Sequence, residues 1–302
     1  MSRVPLRTRV LRLRINVETL LNVPLGWLRG RQLAARNRRS TTPVTGEAPL
    51  IVSLTSYGPR LGVVHLAIES IAAGTVRPQR LILWVDEGTD IEALPAAVLR
   101  LRGRGLEIRP TLDLGPYKKI IPTLPETVQA GGGRLPVVTA DDDVLYPRSW
   151  LSRLIGAAAA DPELVHCFRA RDVVVHDGQL APYAQWRLCV NTRPGFDRIA
   201  TGVSGVYYPP ALLDALAAGG DAFREKAPRA DDLWAHHTAV AAGIRIRQVS
   251  SLARHFPEIP GTRQSSLYAS NLKQGANDPQ IAATYTPAAI ERIQADREHG
   301  AP

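Results

Sequence analysis

Residues 135–143 read Leu-Pro-Val-Val-Thr-Ala-Asp-Asp-Asp, an apolar run that leads directly into three consecutive aspartates. A short apolar run of this kind predicts a buried strand. Two similar runs lie earlier in the chain, at residues 50–55 and 81–85. The first is followed by Tyr57-Gly58-Pro59 and the second by Asp86. Each predicted strand therefore has polar or turn-forming residues at its carboxyl end.

Helical patterns alternate with these strands. We predict helices over residues 63–73, 91–101, 120–130 and 149–160, and a short strand over 106–109. Strand–helix alternation is typical of an α/β protein with a mainly parallel sheet and helices on both faces. Ligands of such proteins bind beyond the carboxyl ends of the strands. In the second half we predict a hairpin at residues 176–178 and helices over 211–218 and 231–242.

The net charge of +9 comes from the N-terminus. Residues 1–40 contain ten arginines and one acid, Glu18, whereas the rest of the chain contains 27 basic and 27 acidic residues. A nucleic-acid-binding domain would carry its basic residues on the folded body, so the distribution argues against a nucleic-acid partner. The two cysteines, Cys167 and Cys189, lack metal-ligand spacing and are too few for a disulfide framework, which favours a reducing compartment.

The basic N-terminal segment is amphipathic. Arginines flank an apolar stripe at helical spacing, which predicts a helix on an anionic membrane surface; the stripe comprises Leu6, Val10, Leu13, Val17 and Leu20. The longest uncharged run, residues 19–28, is too short to span a bilayer. The alternative is a helix that packs on the body, with residues 29–39 as a solvated linker. We divide the chain into a basic segment with its linker, 1–45, and one α/β domain, 46–302.

The three aspartates are the strongest candidate for a chemical site. Carboxylates at the end of a buried strand repel one another unless a cation or hydrogen-bond donors compensate them. Asp141 and Asp143 point the same way if the backbone stays extended, and both then face one divalent ion. Mg²⁺ or Mn²⁺ held by one or two carboxylates and by substrate phosphates is the usual arrangement. The alternative makes Asp143 or Ser149 a helix cap and leaves the other aspartates solvated.

The order of these motifs resembles a known family. The chain is similar to the nucleotide-sugar half of GT-A-fold glycosyltransferases, and more narrowly to bacterial enzymes related to glycosyltransferase family 2 that build surface polysaccharides. The resemblance covers residues 50–280 and rests on the segments 50–57, 81–86, 115–119, 137–143, 205–210 and 230–234. It implies a GT-A-like fold, a nucleotide-sugar donor and a Mn²⁺ or Mg²⁺ cofactor.

The resemblance also implies roles for individual residues. Asp143 corresponds to the direct metal ligand, and Asp141 to a residue that contacts the ribose or, through water, the metal. Asp142 is grouped with Asp141 on the nucleotide side. The base and ribose are expected to contact three further residues, namely Thr55, Tyr57 and Asp86. His255 occupies the place of a C-terminal metal ligand in some GT-A enzymes.

Two further segments have open interpretations. Lys118 is either a phosphate ligand or, with Lys119, a solvated pair before a helix. Asp232, in Ala230-Asp231-Asp232-Leu233-Trp234, is either a helix cap or the general base of an inverting transfer. A helix N-terminus would lower its pKa. His236, four residues further on, is placed to orient the Asp232 carboxylate.

These observations predict a glycosyltransferase that moves a sugar from a nucleotide diphosphate to a glycan or lipid-linked acceptor, with inversion. The basic segment predicts a cytoplasmic enzyme held peripherally on the inner face of the cell membrane. The rival function is a sugar nucleotidyltransferase or phosphotransferase that uses the same metal site. Such an enzyme needs a basic, glycine-rich triphosphate loop early in the chain, for which Tyr57-Gly58-Pro59-Arg60 is a poor candidate.

Overall fold

The computed structural model describes residues 6–262 and 276–299, with side chains for 22–262 and 276–298. A central seven-stranded sheet organises these residues, in the order β12-β5-β11-β4-β1-β2-β3. Its strands are β1 (Ala48–Thr55), β2 (Pro78–Asp86), β3 (Leu106–Thr111), β4 (Val137–Thr139), β5 (Val165–Cys167), β11 (Val206–Tyr208) and β12 (Ile246–Gln248). Within this sheet every strand but β11 runs in one direction. The architecture confirms the predicted α/β class with a mainly parallel sheet.

The sheet is buried on both faces, which explains its continuous apolar strands. On one face Leu50, Val52 and Leu54 join a core that includes residues of the first helices after β1 and β2. On the other face Ile51 joins a second core. The flanking helices are α2 (Val64–Ala72), α3 (Ala96–Arg102), α4 (Trp150–Ala160), α5 (Pro210–Ala218), α6 (Phe223–Lys226) and α7 (Asp231–Ala241), followed by α8 (Asn277–Thr284) and α9 (Pro287–His299).

One predicted helix is wrong. Residues 120–130 do not form an α-helix; 3₁₀ turns lie over Gly115–Lys119, Ile121–Thr123 and Pro125–Thr127 instead. Pro122 and Pro125 lack the amide hydrogen that an α-helix interior requires and clash with the preceding turn. The predicted helix over 91–101 begins later, at Ala96, directly after Pro95.

The antiparallel strand β11 brings a second set of loops to the carboxyl edge of the sheet. Val206, its first residue, pairs with Thr139, the last residue of β4, and with Cys167, the last residue of β5. The loop before β11 therefore lies beside the aspartates that follow β4. An edge built only from parallel strands would have left this loop at the opposite end.

A small three-stranded sheet lies beside the main one. It consists of β6 (Ala170–Asp172), β9 (Arg187–Leu188) and β10 (Arg198–Ala200). The predicted hairpin is confirmed by β7 (Val175–His176) and β8 (Gln179–Leu180). Asp177 and Gly178, at its tip, both have positive φ angles of 50° and 73°. A two-residue turn of this kind matches the twist of the flanking strands.

The N-terminal segment is a helix, α1 (Leu6–Arg39), and its second half packs on the body. Leu33 and Asn37 are buried, and Asn37 donates hydrogen bonds to the carboxylate of Glu69 and to Ala97 O. Arg36 forms an ion pair with Glu69 at 3.3 Å. The predicted solvated linker over residues 29–39 is therefore wrong. The side chains of the apolar stripe from Leu6 to Leu20 lie outside the described residues.

Candidate active site

A cleft of about 810 Å³ opens at the carboxyl edge of the sheet. Its volume lies in the range of small-molecule and cofactor sites. The ends of β1, β2 and β4 form one side, and the loop before β11 together with the start of α7 forms the other. The cleft is lined by the predicted residues Thr55, Tyr57, Asp86, Lys118, Asp141, Asp142, Asp143 and Asp232.

The three aspartates after β4 have different environments. Asp142 is buried, and its carboxylate accepts hydrogen bonds from Ser56 Oγ at 2.7 Å and from an Arg60 guanidinium nitrogen at 2.6 Å. The chain turns at Asp142 and Asp143 rather than staying extended. Even so, the Asp141 and Asp143 side chains both line the cleft, and each is 22% exposed. Asp142 therefore supports the turn, while its two neighbours face the open space.

Asp143 lies in an excess of negative charge. Burial, together with the nearby carboxylates of Asp141, Asp142 and Glu258, raises the pKa of its carboxyl to about 7 against the opposing effect of Arg60. The Arg60 guanidinium lies 3.1 Å from Asp143. Two crowded carboxylates that face a cleft are the hard oxygen ligands that Mg²⁺ and Mn²⁺ take together with substrate phosphates. The residues present at this edge therefore fit such a cation.

His255 is not brought together with these aspartates. It is not among the residues that line the cleft, and its Nε2 accepts a hydrogen bond from Arg169 Nε at 3.3 Å. In the part of the chain that the structure describes, no cluster of three or more histidine, cysteine or acidic residues is arranged to hold a metal ion. Among the described residues, the aspartates after β4 that face the cleft are Asp141 and Asp143.

Lys118 organises the far end of the cleft. It is buried, so it is not part of a solvated pair. Its Nζ pairs with Asp86 Oδ1 and lies 3.2 Å from Asp113 Oδ1. The same ammonium lies 5.3 Å from the centre of the half-exposed Tyr57 ring. Carboxylates and an aromatic face at this end form a pocket with hydrogen-bond acceptors and a stacking surface.

Lys119 connects the two sides of the cleft. Its Nζ lies 3.2 Å from Asp141 Oδ1 and 3.4 Å from Asp231 Oδ2. Burial lowers the pKa of this lysine, but the carboxylates of Asp141, Asp231 and Asp232 outweigh burial and raise it well above its ordinary value. The ammonium thus stays charged and holds acidic residues of β4 and α7 at one point.

Asp232 lies at the start of α7, as predicted, and its carboxylate accepts hydrogen bonds from the Gly202 backbone N–H at 3.0 and 3.2 Å. Its pKa is not lowered by the helix N-terminus. Burial, and then the adjacent Asp231 carboxylate, raise the pKa of Asp232 to about 7. A carboxyl group with a pKa near 7 meets the requirement of a general base better than an ordinary aspartate does.

His236 does not orient Asp232. Its Nδ1 is hydrogen-bonded to Tyr285 Oη at 2.5 Å and its Nε2 to Phe196 O at 2.9 Å. Burial lowers the pKa of this imidazole to about 4. His236 is therefore a neutral core residue, and the Gly202 amide provides the hydrogen bonds to Asp232.

The loop that carries Gly202 is held by packing that requires glycine. Gly205 has a φ of +95°, and a Cβ atom there would lie 2.7 Å from the buried Trp150 ring. Trp150 Nε1 donates a hydrogen bond to Ser204 O at 2.9 Å. At Gly202 a Cβ atom would lie 2.8 Å from Lys119 Nζ. Glycine at 205 lets the loop pack on Trp150, and glycine at 202 lets it approach Lys119 closely.

Several of these residues were not among the predicted site residues, namely Ser56, Arg60, Asp113, Lys119 and Gly202. The sequence could have indicated Lys119 as a site residue, because the chain has only four lysines beside 33 arginines and two of the four are adjacent. Gly202 had a weaker signal, because Gly202 and Gly205 bracket a short loop. Nothing in the sequence indicated Arg60, because its partners, Asp142 and Asp143, lie more than 80 positions away.

No described protein family and no curated protein matches the sequence. Solved structures of similar fold include the mannosyltransferase PcManGT from Pyrobaculum calidifontis in complex with GDP-Man and Mn²⁺ (TM-score 0.46, 16% identity, 95% of this chain and 88% of that one). They also include TarS from S. aureus in complex with UDP, with a TM-score of 0.46 and 16% identity over 68% of this chain and 59% of that one. A 4-diphosphocytidyl-2C-methyl-D-erythritol synthase is similar as well, with a TM-score of 0.43 and 11% identity over 79% of this chain and 100% of that one. These neighbours comprise both glycosyltransferases and a nucleotidyltransferase.

Proposed function

We propose that this chain is a glycosyltransferase that moves a sugar from a nucleotide diphosphate to a hydroxyl group of a glycan or lipid-linked acceptor, with inversion at the anomeric carbon. One observation carries the proposal. Asp141 and Asp143 on one side of the cleft and Asp232 on the other face a shared space, and Lys119 ties the two sides together. A cation site and a general base in one cleft are what sugar transfer from a nucleotide diphosphate requires.

The donor would bind along the strand ends. Asp86, Asp113 and Tyr57, arranged around Lys118, suit the base and ribose. Asp141 and Asp143 would hold Mn²⁺ or Mg²⁺ beside the diphosphate. When bound, such a cation neutralises the charge that develops on the diphosphate as the bond between the anomeric carbon and the phosphate oxygen breaks.

The acceptor would bind on the side of Asp232. As the acceptor oxygen forms its bond to the anomeric carbon, its proton passes to the Asp232 carboxylate, and the nucleoside diphosphate leaves with the electron pair of the broken bond. The raised pKa of Asp232 favours proton uptake near neutral pH. The Gly202 N–H fixes the orientation of the carboxylate.

The same observations favour glycosyl transfer over nucleotidyl transfer. A sugar phosphate attacks a nucleoside triphosphate through an oxygen that is already ionised, so that reaction needs no base of the Asp232 type. It does need cations for a triphosphate after the first strand. The basic residue there, Arg60, contacts Asp142 and Asp143.

A two-stage experiment tests the proposal. Thermal-shift measurements with UDP, GDP, CDP, ADP and dTDP, each with MnCl₂ or EDTA, should identify one nucleotide that stabilises the chain only with the cation. The corresponding nucleotide-sugars should then release nucleoside diphosphate and glycosylate an acceptor. Release of pyrophosphate from a nucleoside triphosphate and a sugar 1-phosphate would instead establish the nucleotidyltransferase. Failure of every nucleotide to bind would refute both functions.

We also propose that α1 holds the enzyme on the cytoplasmic face of a membrane, where a lipid-linked acceptor would be presented. The side of α1 that faces away from the body exposes apolar residues, namely Val23, Leu25, Trp27 (61% exposed) and Leu28. The arginines of residues 1–40 would attract anionic lipid headgroups around this apolar patch. No helix within the described residues is long and apolar enough to cross a bilayer.

A further inference from the structure

One wall of the cleft is basic. Four arginines line it, and none of the described residues on this wall is a carboxylate. We call it the arginine wall, and it consists of Arg169 and Arg171 at β6 and of Arg224 and Arg229 before α7. The carboxylates of the cleft lie instead at the strand ends and at the start of α7. The cations at the strand ends, Arg60, Lys118 and Lys119, are each paired with an aspartate of the cleft, whereas the arginine wall has no carboxylate of its own.

Two of the four guanidinium groups have hydrogen-bond or ion-pair partners within the protein. Arg169 donates hydrogen bonds to Thr201 Oγ1 at 2.7 Å and to His255. Arg224 lies 3.2 Å from the exposed carboxylate of Asp221. These two residues are part of the local structure of the wall.

The other two are not compensated by an acid. Arg171 donates to Trp186 O at 2.6 Å and lies 5.2 Å from the centre of the Tyr183 ring, but its Nε is buried without a hydrogen-bond partner among the described residues. The Arg229 side chain is exposed and has no ion-pair partner within the same part of the chain. The fork of donors on each of these guanidinium groups matches the oxygens of a carboxylate or phosphate.

The arginine wall lies on the side of the cleft that holds the base. Arg169 bonds to Thr201, the neighbour of Gly202, whose amide in turn bonds to Asp232. Arg229 lies three residues before Asp232. The pocket around Asp86 and Lys118 lies at the strand ends on the other side. A group bound by the wall would therefore belong to the acceptor rather than to the nucleotide.

We propose, resting on the proposed function, that the acceptor carries an anionic group, a phosphate or a carboxylate, that Arg171 and Arg229 bind. Tyr183, which is partly exposed, also lines this region and offers an aromatic side chain to a sugar. An anionic group held there would place the rest of the acceptor beside Asp232. Recognition of the acceptor would then depend on charge as well as on the sugar.

The test is a binding measurement by ligand-observed NMR, at low salt and with EDTA, on the full chain. The probes are glucose, glucose 1-phosphate and glucuronate. At least one anionic sugar should bind about tenfold or more tightly than glucose, as expected of charge-assisted hydrogen bonds. Arg171→Gln and Arg229→Gln should each remove most of that difference. Arg187→Gln is the matched control, because Arg187 is exposed on the neighbouring strand β9 and does not line the cleft.

The preferred probe distinguishes the two sources of charge, a phosphate-linked acceptor or an acidic sugar. Equal affinity for all three sugars, or an equal effect of Arg187→Gln, would overturn the proposal. If Arg171→Gln does not fold, Arg229→Gln carries the test, because its side chain is exposed.

The titrations are repeated with MnCl₂ and the nucleoside diphosphate that stabilises the chain most. Competition between sugar and nucleotide would place the anion on the donor side and overturn the proposal, whereas absence of any nucleotide binding concerns only the proposed function.

Discussion

Nζ of Lys119 lies 3.2 Å from Oδ1 of Asp141, so one buried ammonium links the acidic turn after β4 to the start of α7, where Asp231 lies 3.4 Å from the same atom. Lys119→Met should leave these partly buried carboxylates without their cation. Because these groups are partly exposed, we expect the free energy of unfolding to fall by about 1–3 kcal/mol at pH 8, less than for a fully buried pair. The loss should be smaller at pH 5, because the raised pKa values of Asp231 and Asp232 favour their protonated forms there.

Urea unfolding followed by circular dichroism at both pH values measures this difference. Lys119→Arg is the control, since it keeps the charge and should retain much of the stability. An equal loss for Lys119→Met at pH 5 and pH 8 would show that the lysine contributes by packing alone.

Asp143→Ala should abolish the part of nucleoside diphosphate binding that depends on Mn²⁺, because one of the two carboxylates that face the cleft is removed. The fold should remain intact, since the substitution also removes carboxylate repulsion. Calorimetric titration with and without MnCl₂ measures the effect. Asp177→Asn, at the tip of the β7–β8 hairpin, is the control, because asparagine tolerates its positive φ of 50°. Undiminished cation-dependent binding by Asp143→Ala would contradict the assignment.

Without a divalent cation the protein should be less stable at pH 8 than at pH 5. The folded-state pKa of Asp143 is about 7, whereas that of an unfolded aspartate is about 3.9. The folded state therefore binds more protons between these values, so stability is lost progressively as pH rises from about 4 to about 7 and levels off above that. Asp143→Asn should remove a part of this loss, on the order of 2–4 kcal/mol.

Melting temperatures in EDTA across pH 5 to 8 test this dependence, and MnCl₂ should restore stability at the upper end of the range. A melting temperature that rises with pH in EDTA would contradict the raised pKa.

Asp232→Asn should lower transfer by about 10²–10⁴-fold, the span expected for loss of a general base. Donor binding should be nearly constant, because the asparagine carbonyl can still accept the Gly202 hydrogen bond. Turnover and nucleotide affinity are measured on the same preparation, with Asp221→Asn as an exposed control outside the cleft. Retained turnover with a lower melting temperature would identify Asp232 as a helix cap.

Deleting residues 1–21 should abolish co-sedimentation with vesicles that contain phosphatidylglycerol, because it removes five arginines that each contribute about 1 kcal/mol near an anionic surface. Cation-dependent nucleotide binding should persist, since the buried Leu33 and Asn37 are kept. Trp27→Ser should weaken vesicle binding without unfolding, because this side chain is exposed. The full chain should dissociate from vesicles as NaCl rises. Unchanged sedimentation of the truncated chain would contradict the membrane proposal.

The sequence by itself determined the sheet and the edge at which the cleft lies. The apolar runs before Tyr57, Asp86 and Asp141 reported strands that are buried on both faces, and parallel strands place their carboxyl ends together. Such patterns are local, so they can be recognised without knowing which segments become neighbours. Local chemistry was also the source of the one helix error, because the prolines at 122 and 125 outweighed the apolar spacing over 120–130.

Only the tertiary structure decided which groups meet and how they are charged. Arg60 reaches Asp142 across 82 positions, and Lys119 reaches Asp231 across a longer span. The rise in the pKa of Asp232 comes from burial and from the neighbouring Asp231 carboxylate. The expectation that a helix N-terminus lowers the pKa of a carboxyl group takes neither effect into account. The packing of α1 depends on Glu69, which is buried and pairs with Arg36. Nothing in the residues next to Glu69 in the sequence predicts that it is buried or that it contacts α1. Contacts of this kind arise from close packing between distant segments, and the periodicity of any one segment does not encode them.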